Sequence, residues 1–246
     1  MVPALTERAF QLAAAVPVDG DIAEFGVWQG AGLETLAQLA RKYRLHPAPR
    51  VYGFDTFAGI PATDKPLVNK LASVYAEGQF ADTSIEAVQR RVPEATLVQG
   101  MFADLQPLGD YGVGKLRIVN LDGDIYEGYR DALSLITPHL QVGTVVLGDD
   151  TIPPNHWSRT SVREHGQKAM REWEDATGFN LHLIRFEWTV GLYVIVDEDY
   201  LRQHWRVIDR LRRDTIHESL ELIANRLLKR PVETRPMRGD PDNPES

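Results

Sequence analysis

Two short apolar runs, Leu116–Leu121 and Val142–Leu147, each break off at acid, the first at Asp122 and Asp124, the second at Asp149 and Asp150. A mostly apolar, β-rich run that ends in carboxylates has the pattern of a buried parallel strand delivering its last residues to the carboxyl edge of a sheet. Between the runs, Glu127–Leu140 carries apolar residues at helical spacing (Tyr129, Leu133, Ile136, Leu140), and Gly143 follows its end. Strand, helix and strand make a crossover. A crossover brings both acidic ends to one edge, where open α/β sheets bind ligands.

The rest of the chain repeats that rhythm. Residues 4–16 have helical spacing and an alanine run, suited to packing on the domain or on a partner subunit. After the turn Pro17–Asp21, a short strand leads into glycines at 26, 30 and 32 and then a helix over Leu33–Tyr43. Arg50–Phe57 reads as a second strand ending at Asp55, and Ala95–Gln99 as a third. Residues 58–82 lack periodicity and carry Pro, Gly and charges, the composition of a disordered segment or, as favoured here, of a mobile lid over a binding site. Thr83–Arg91 and Ser161–Ala176 read as helices. Leu181–Trp188 and Val190–Val196 are joined so tightly that they must form an antiparallel hairpin. Tyr200–Leu228 is a long amphipathic helix, placed to cover the sheet or to make a dimer contact, so a homo-oligomer is expected. The pattern predicts a single α/β domain over 1–230, with a mostly parallel sheet, a terminal hairpin and helices on both faces. Residues 231–246 are proline-rich and polar, a tail expected to be disordered.

Composition narrows the chemistry. The 246 residues carry a net charge of −8, which argues against nucleic acid or an anionic membrane as a partner and leaves a small-molecule substrate. There is no cysteine, which excludes disulfides, thiolate catalysis and zinc–thiolate sites. The N-terminus lacks the pattern of a signal peptide and no apolar run approaches a membrane span, so a cytoplasmic protein is expected.

Candidate chemistry gathers at the strand ends. Carboxylates crowded at one edge repel unless a cation sits among them, so Asp122, Asp149 and Asp150 are candidate ligands of a hard divalent metal; aspartates after strands also cap helices or face water. The turn around Gly26, Gly30 and Gly32 lets backbone approach a ligand closely. Trp28 stands where a dinucleotide fingerprint has its second glycine, which disfavours NAD and suits a smaller, phosphate-free nucleoside. Asp55 after the second strand is placed to accept hydrogen bonds from both hydroxyls of a ribose, or to cap a turn. Met101 and Phe102 are placed to flank an adenine or to join the core. His156, in a loop six residues past the acidic pair, is a candidate general base or a solvated side chain.

The stretches AEFGVWQGAG (23–32), VYGFDTFAGIP (51–61) and LDGDIYEGYRDAL…VGTVVLGDD (121–150) resemble the macrocin O-methyltransferase family of antibiotic biosynthesis, over most of residues 20–196. The resemblance implies a Rossmann-like class I methyltransferase fold with a seven-stranded sheet, S-adenosylmethionine as cofactor and magnesium as metal. It assigns magnesium to Asp122, Asp149 and Asp150. It assigns the cofactor to Glu24, Gly26 and Gly30 with the intervening Phe25, Val27 and Trp28, to Asp55 and Thr56, to Met101 and Phe102, and to Asp122. The implied activity is methyl transfer to a hydroxyl of a natural-product sugar or phenol, with Asp122 in catalysis; the general base is either His156, read from its place in the loop, or none, the metal acidifying the hydroxyl unaided. Two departures stand out. The chain has no histidine between His46 and His139, where the family carries one in its lid, and the catechol O-methyltransferase lysine is Ile125 here. The rival readings are a methyltransferase fold serving as a binding module, hydroxylation on the same fold, and an NAD-dependent oxidoreductase.

Overall fold

β4 (Leu116–Leu121) is buried at all six positions, as is β1 (Asp21–Phe25) at all five. Strands covered on both faces show no polar–apolar alternation, and these two bury even their polar residues, Asp21 and Glu24 in β1 and Arg117 and Asn120 in β4. The computed structural model describes residues 3–16, 18–62, 76–151 and 165–212. All of them belong to one unit, Met1–Arg212; the second unit, Arg213–Ser246, lies outside them. The expected tail and the last part of the expected long helix therefore fall outside the described residues.

β1, β2 (Val51–Asp55), β3 (Thr96–Gln99), β4, β5 (Val145–Gly148), β6 (Leu181–Glu187) and β7 (Val190–Ile195) form one seven-stranded sheet in the order β3-β2-β1-β4-β5-β7-β6. Neighbours are parallel except β7, which runs antiparallel to β5 and to β6. This is the expected terminal hairpin. The order reverses between β1 and β4, and that switch point is where a sheet of this kind leaves a crevice.

Register fixes what reaches the crevice. Phe25 pairs with Phe54 and with Leu121, and Leu121 with Gly148, so four strands end level. The next hydrogen bonds continue the ladder one step further: Gly26 N to Phe54 O, Asp122 N to Phe25 O and Asp149 N to Leu121 O, each 2.9 Å. Gly26, Asp55, Asp122 and Asp149 thus stand together at the carboxyl edge.

Helices cover both faces. α1 (Pro3–Ala15), α2 (Ala31–Lys42) and α3 (Ile85–Arg91) bury Phe10, Leu12, Leu33, Leu36 and Val88 in one core. α4 (Tyr126–Ile136) and α5 (Gly166–Thr177) bury Tyr129, Leu133, Ile136, Met170 and Trp173 in the other. α1 therefore packs on its own domain. The chain is helical again over 198–212, where Ile208 and Leu211 join the first core.

Several element ends differ from the pattern's expectation. α4 stops at Ile136 in a 3-10 turn, Thr137–His139, because Pro138 cannot continue the helical ladder. β5 begins at Val145 and not at Val142: Gln141 and Thr144 exchange two hydrogen bonds in a turn around Gly143, which has φ 93°, and Val142 is left exposed. α2 starts at Ala31, two residues early, because Gly30 takes the left-handed conformation at its N-cap. Residues 161–164, expected to open α5, lie outside the described residues.

Candidate active site

The turn after β1 is held by a carboxylate from β2. Asp55 Oδ2 accepts from the backbone N–H of Val27 at 2.6 Å and of Trp28 at 2.7 Å, and Oδ1 accepts from Phe57 N at 2.7 Å. A carboxylate has about four acceptor positions; three are taken by these backbone N–H groups, and the Thr56 hydroxyl makes a longer contact to Oδ1 at 3.4 Å. The first task of Asp55 is to weld the two loops.

A second strap closes one side. Asp82 accepts from Trp28 Nε1 at 2.7 Å and from Gln29 Nε2 at 2.9 Å, and Thr83 Oγ1 donates to Trp28 O at 2.8 Å. Phe80 meets the Trp28 ring edge-on at 5.3 Å. Ile60 and Gln79 pair through their backbones, so the two described ends of the expected lid are tied together. Residues 63–75 of that segment lie outside the described residues, as does His156.

These elements enclose a cavity of about 410 Å³, within the usual range for a small-molecule site. Its wall includes Gly26, Trp28, Asp55, Thr56, Met101, Phe102 and Asp122, all expected at the cofactor, together with Asp149 and Asp150. Four other expected residues do not line it. Phe25 turns into the core and stacks on Phe54 at 4.7 Å, Val27 is buried in the opposite core, and Gly30 caps α2. Glu24 is buried in β1, where its Oε1 accepts from Asn120 Nδ2 at 2.9 Å and its Oε2 has no hydrogen-bond partner among the described residues.

Burial pushes the Glu24 carboxyl up to about 8, against the lowering effect of the Asn120 hydrogen bond. A carboxyl raised above its unfolded value of 4.5 contributes stability that is complete below that pH and lost as pH rises through about 8. Glu24→Gln keeps the shape and has no proton to lose. The melting temperature of the wild type is expected to fall across that interval more steeply than that of the variant, as read by thermal unfolding at a series of pH values.

The far wall is acidic. Asp122, Asp124, Asp149 and Asp150 all face the cavity, joined by Glu127 and Asp131 from the start of α4. Burial, then the charges of Asp149 and Asp124, hold the Asp122 carboxyl well above its usual range. Burial and the charges of Asp150 and Asp149 push Asp124 to about 7. Asp149 Oδ1 accepts from Asp150 N at 2.9 Å and from Thr189 Oγ1 at 3.2 Å, which fixes the direction of its carboxylate. In charge and donor type this wall fits a hard divalent cation, since the carboxylates raise one another's proton affinity. Among the described residues, no three His, Cys, Asp or Glu side chains are grouped closely enough to hold an ion as they stand.

Sequence reasoning missed the part contributed by α4. Glu127, Gly128 and Asp131 line the cavity because the helix starts against the loop that precedes it. A Cβ on Gly128 would lie 2.3 Å from Gly123 O, so the pair of glycines permits the approach. Their five-residue spacing was the available signal.

The model of the family described as macrocin O-methyltransferase (TylF) matches residues 5–194. A Streptomyces olivaceus protein, 8-demethyl-8-(2,3-dimethoxy-alpha-L-rhamnosyl)-tetracenomycin-C 4'-O-methyltransferase, is 30% identical over 142 residues, 54% of this chain and 53% of that protein. The mycinamicin III 3''-O-methyltransferase of Micromonospora griseorubida is 26% identical over 181 residues, 69% of this chain and 66% of that protein. The match spans about half the length of the first of these relatives. Two solved structures share the fold: the O-methyltransferase NovP, with a TM-score of 0.64 at 21% identity over 79% of this chain and 80% of that one, and the calicheamicin methyltransferase CalS11, with 0.57 at 23% over 78% and 77%. With the family model covering residues 5–194 of 246, the chain belongs to the macrocin O-methyltransferase family.

Proposed function

We propose that this protein transfers a methyl group from S-adenosylmethionine to a hydroxyl oxygen of a natural-product small molecule, a sugar or a phenol, with magnesium held by Asp122, Asp149 and Asp150. The observation that carries this reading is one cavity with two walls. The glycine turn, Asp55, Met101 and Phe102 lie on one side, and the acidic ends of β4 and β5 on the other. The family and the acceptors in its relatives' names, one of them a rhamnosyl-tetracenomycin, support a hydroxyl on a glycosylated acceptor.

The residues divide the work. Backbone at Gly26 and Trp28, with Asp55, holds the nucleoside end, while Met101 and Phe102 offer apolar surface to its base. S-adenosylmethionine supplies a methyl group on a positive sulfur. Magnesium supplies a Lewis acid that lowers the proton affinity of a bound hydroxyl. Asp122 joins the two walls, since its backbone N–H closes the β1 end and its carboxylate faces the acids. Holding donor and acceptor in line is itself worth a large part of the barrier. Phe80, Ile60 and Pro61 screen the cavity from water on the strap side.

The test is an assay of S-adenosylhomocysteine release with glycosylated and phenolic acceptors, run with magnesium and with excess chelator. Transfer that collapses in chelator is expected. Full activity without metal would remove magnesium from the proposal, and cofactor binding with no transfer to any hydroxyl would favour a binding module.

A further inference from the structure

Tyr129 sits in the first half of α4 with its side chain wholly buried. Its hydroxyl lies 2.9 Å from the carbonyl oxygen of Leu121, the last residue of β4, and also meets the carbonyl oxygen of Asp149, just past β5. The Leu121 oxygen accepts in addition from Asp149 N at 2.9 Å. The hydroxyl has a single proton to share between these two carbonyl oxygens, and with Asp149 N it links the ends of the two strands. Asp122 follows directly on one side of this link; Asp149 and Asp150 stand on the other.

The ring is seated by glycines. A Cβ on Gly166, the first residue of α5, would lie 2.9 Å from the Tyr129 ring, and one on Gly123 would lie 3.2 Å from it. A phenylalanine would fill the same space, so packing alone does not require the hydroxyl. Four carboxylates crowd the same edge and tend to push these strand ends apart, and the link through the hydroxyl opposes that.

We propose that the Tyr129 hydroxyl is a positioning group that sets the spacing between Asp122 and the Asp149–Asp150 pair, and through it the affinity of the site for a divalent cation. This inference rests on the magnesium part of the proposed function. Removal of outer partners of a metal site costs about 10–100-fold in metal affinity, and Tyr129→Phe is expected to fall in that range.

The experiment is calorimetric titration of the full chain with manganese and magnesium chlorides, beside a titration with S-adenosylhomocysteine. Tyr129→Phe should weaken the cation and leave the nucleoside unchanged. Gly166→Ala presses on the ring at 2.9 Å, and less closely on Asp150 O at 3.2 Å, without removing the hydroxyl; it should weaken the cation in the same sense and covers the case in which Tyr129→Phe does not fold. Tyr52→Phe is the control: it loses a buried hydroxyl bonded to Gly112 O at 3.1 Å on the opposite edge of the sheet, and should lose stability but keep cation affinity. Equal cation affinity in wild type and Tyr129→Phe would overturn the inference alone. Loss of cation and nucleoside binding together would overturn it as well, because the hydroxyl would then serve the fold as a whole. A wild type that binds no cation would overturn the magnesium reading beneath it.

Discussion

Asp149→Ala is expected to lower turnover by about 10²–10³-fold, the scale for losing one preorganised electrostatic group, while S-adenosylhomocysteine binds as before. The separation follows from the layout. The nucleoside wall is built on β1, β2 and the residues after β3, whereas Asp149 enters from β5 on the other side of β4. Its carboxylate is aimed by Asp150 N and Thr189 Oγ1, neither of which belongs to the nucleoside wall. Stability gives the second signature. Asp149 raises the proton affinity of Asp122 and Asp124, so removing it relieves repulsion in the metal-free protein. The variant's melting temperature without metal should equal or exceed that of the wild type, and magnesium, which should raise the wild-type value by mass action, should leave the variant's unmoved. Thermal unfolding with and without magnesium, beside calorimetry with S-adenosylhomocysteine, checks both. A variant that is fully active, or that still responds to magnesium, would show that Asp149 is no ligand.

The acidic edge was legible because β4 and β5 are buried on both faces, which leaves an apolar run with a sharp end, and the crossover between them fixes where both ends go. The hairpin was legible for a local reason too, since only the turn of Trp188 and Thr189 separates its strands. What escaped depends on partners far along the chain. Asp55 stands at a strand end in any reading of the sequence, yet its carboxylate is taken by N–H groups 27 and 28 residues away, and no local pattern announces that. Glu24 and Phe25 look alike as part of a turn motif. In three dimensions they are consecutive residues of a strand whose two faces are both core, so one meets Asn120, 96 residues on, and the other meets Phe54. The start of α4 escaped because a helix is recognised by its apolar stripe. Glu127, Gly128 and Asp131 lie off that stripe and face the cavity instead.

Gly26→Ala is expected to remove nucleoside and cation binding together. Gly26 has φ 87°, a conformation that strains any residue with a Cβ, at a cost of about 1–2 kcal/mol. Steric overlap costs more. The new Cβ would lie 1.9 Å from the carbonyl oxygen of Asp122, a backbone atom that no rotamer change can move aside. Gly26 N is bonded to Phe54 O and Asp122 N to Phe25 O, so the clash can be relieved only by parting the ends of β1 and β4. That movement displaces the glycine turn and the first aspartate of the acidic wall at once, and a total destabilisation of about 3–5 kcal/mol is expected. Gly78 provides the comparison. It has φ 78° and open space where a Cβ would go, so Gly78→Ala carries the backbone strain alone and should cost about 1 kcal/mol. Denaturant unfolding of the two variants separates strain from clash. Titration with S-adenosylhomocysteine and with magnesium then shows whether one contact, between a glycine and the peptide next to Asp122, holds both halves of the site in register. Near-equal stability losses at positions 26 and 78, or nucleoside binding retained in Gly26→Ala, would mean that the two walls are anchored independently.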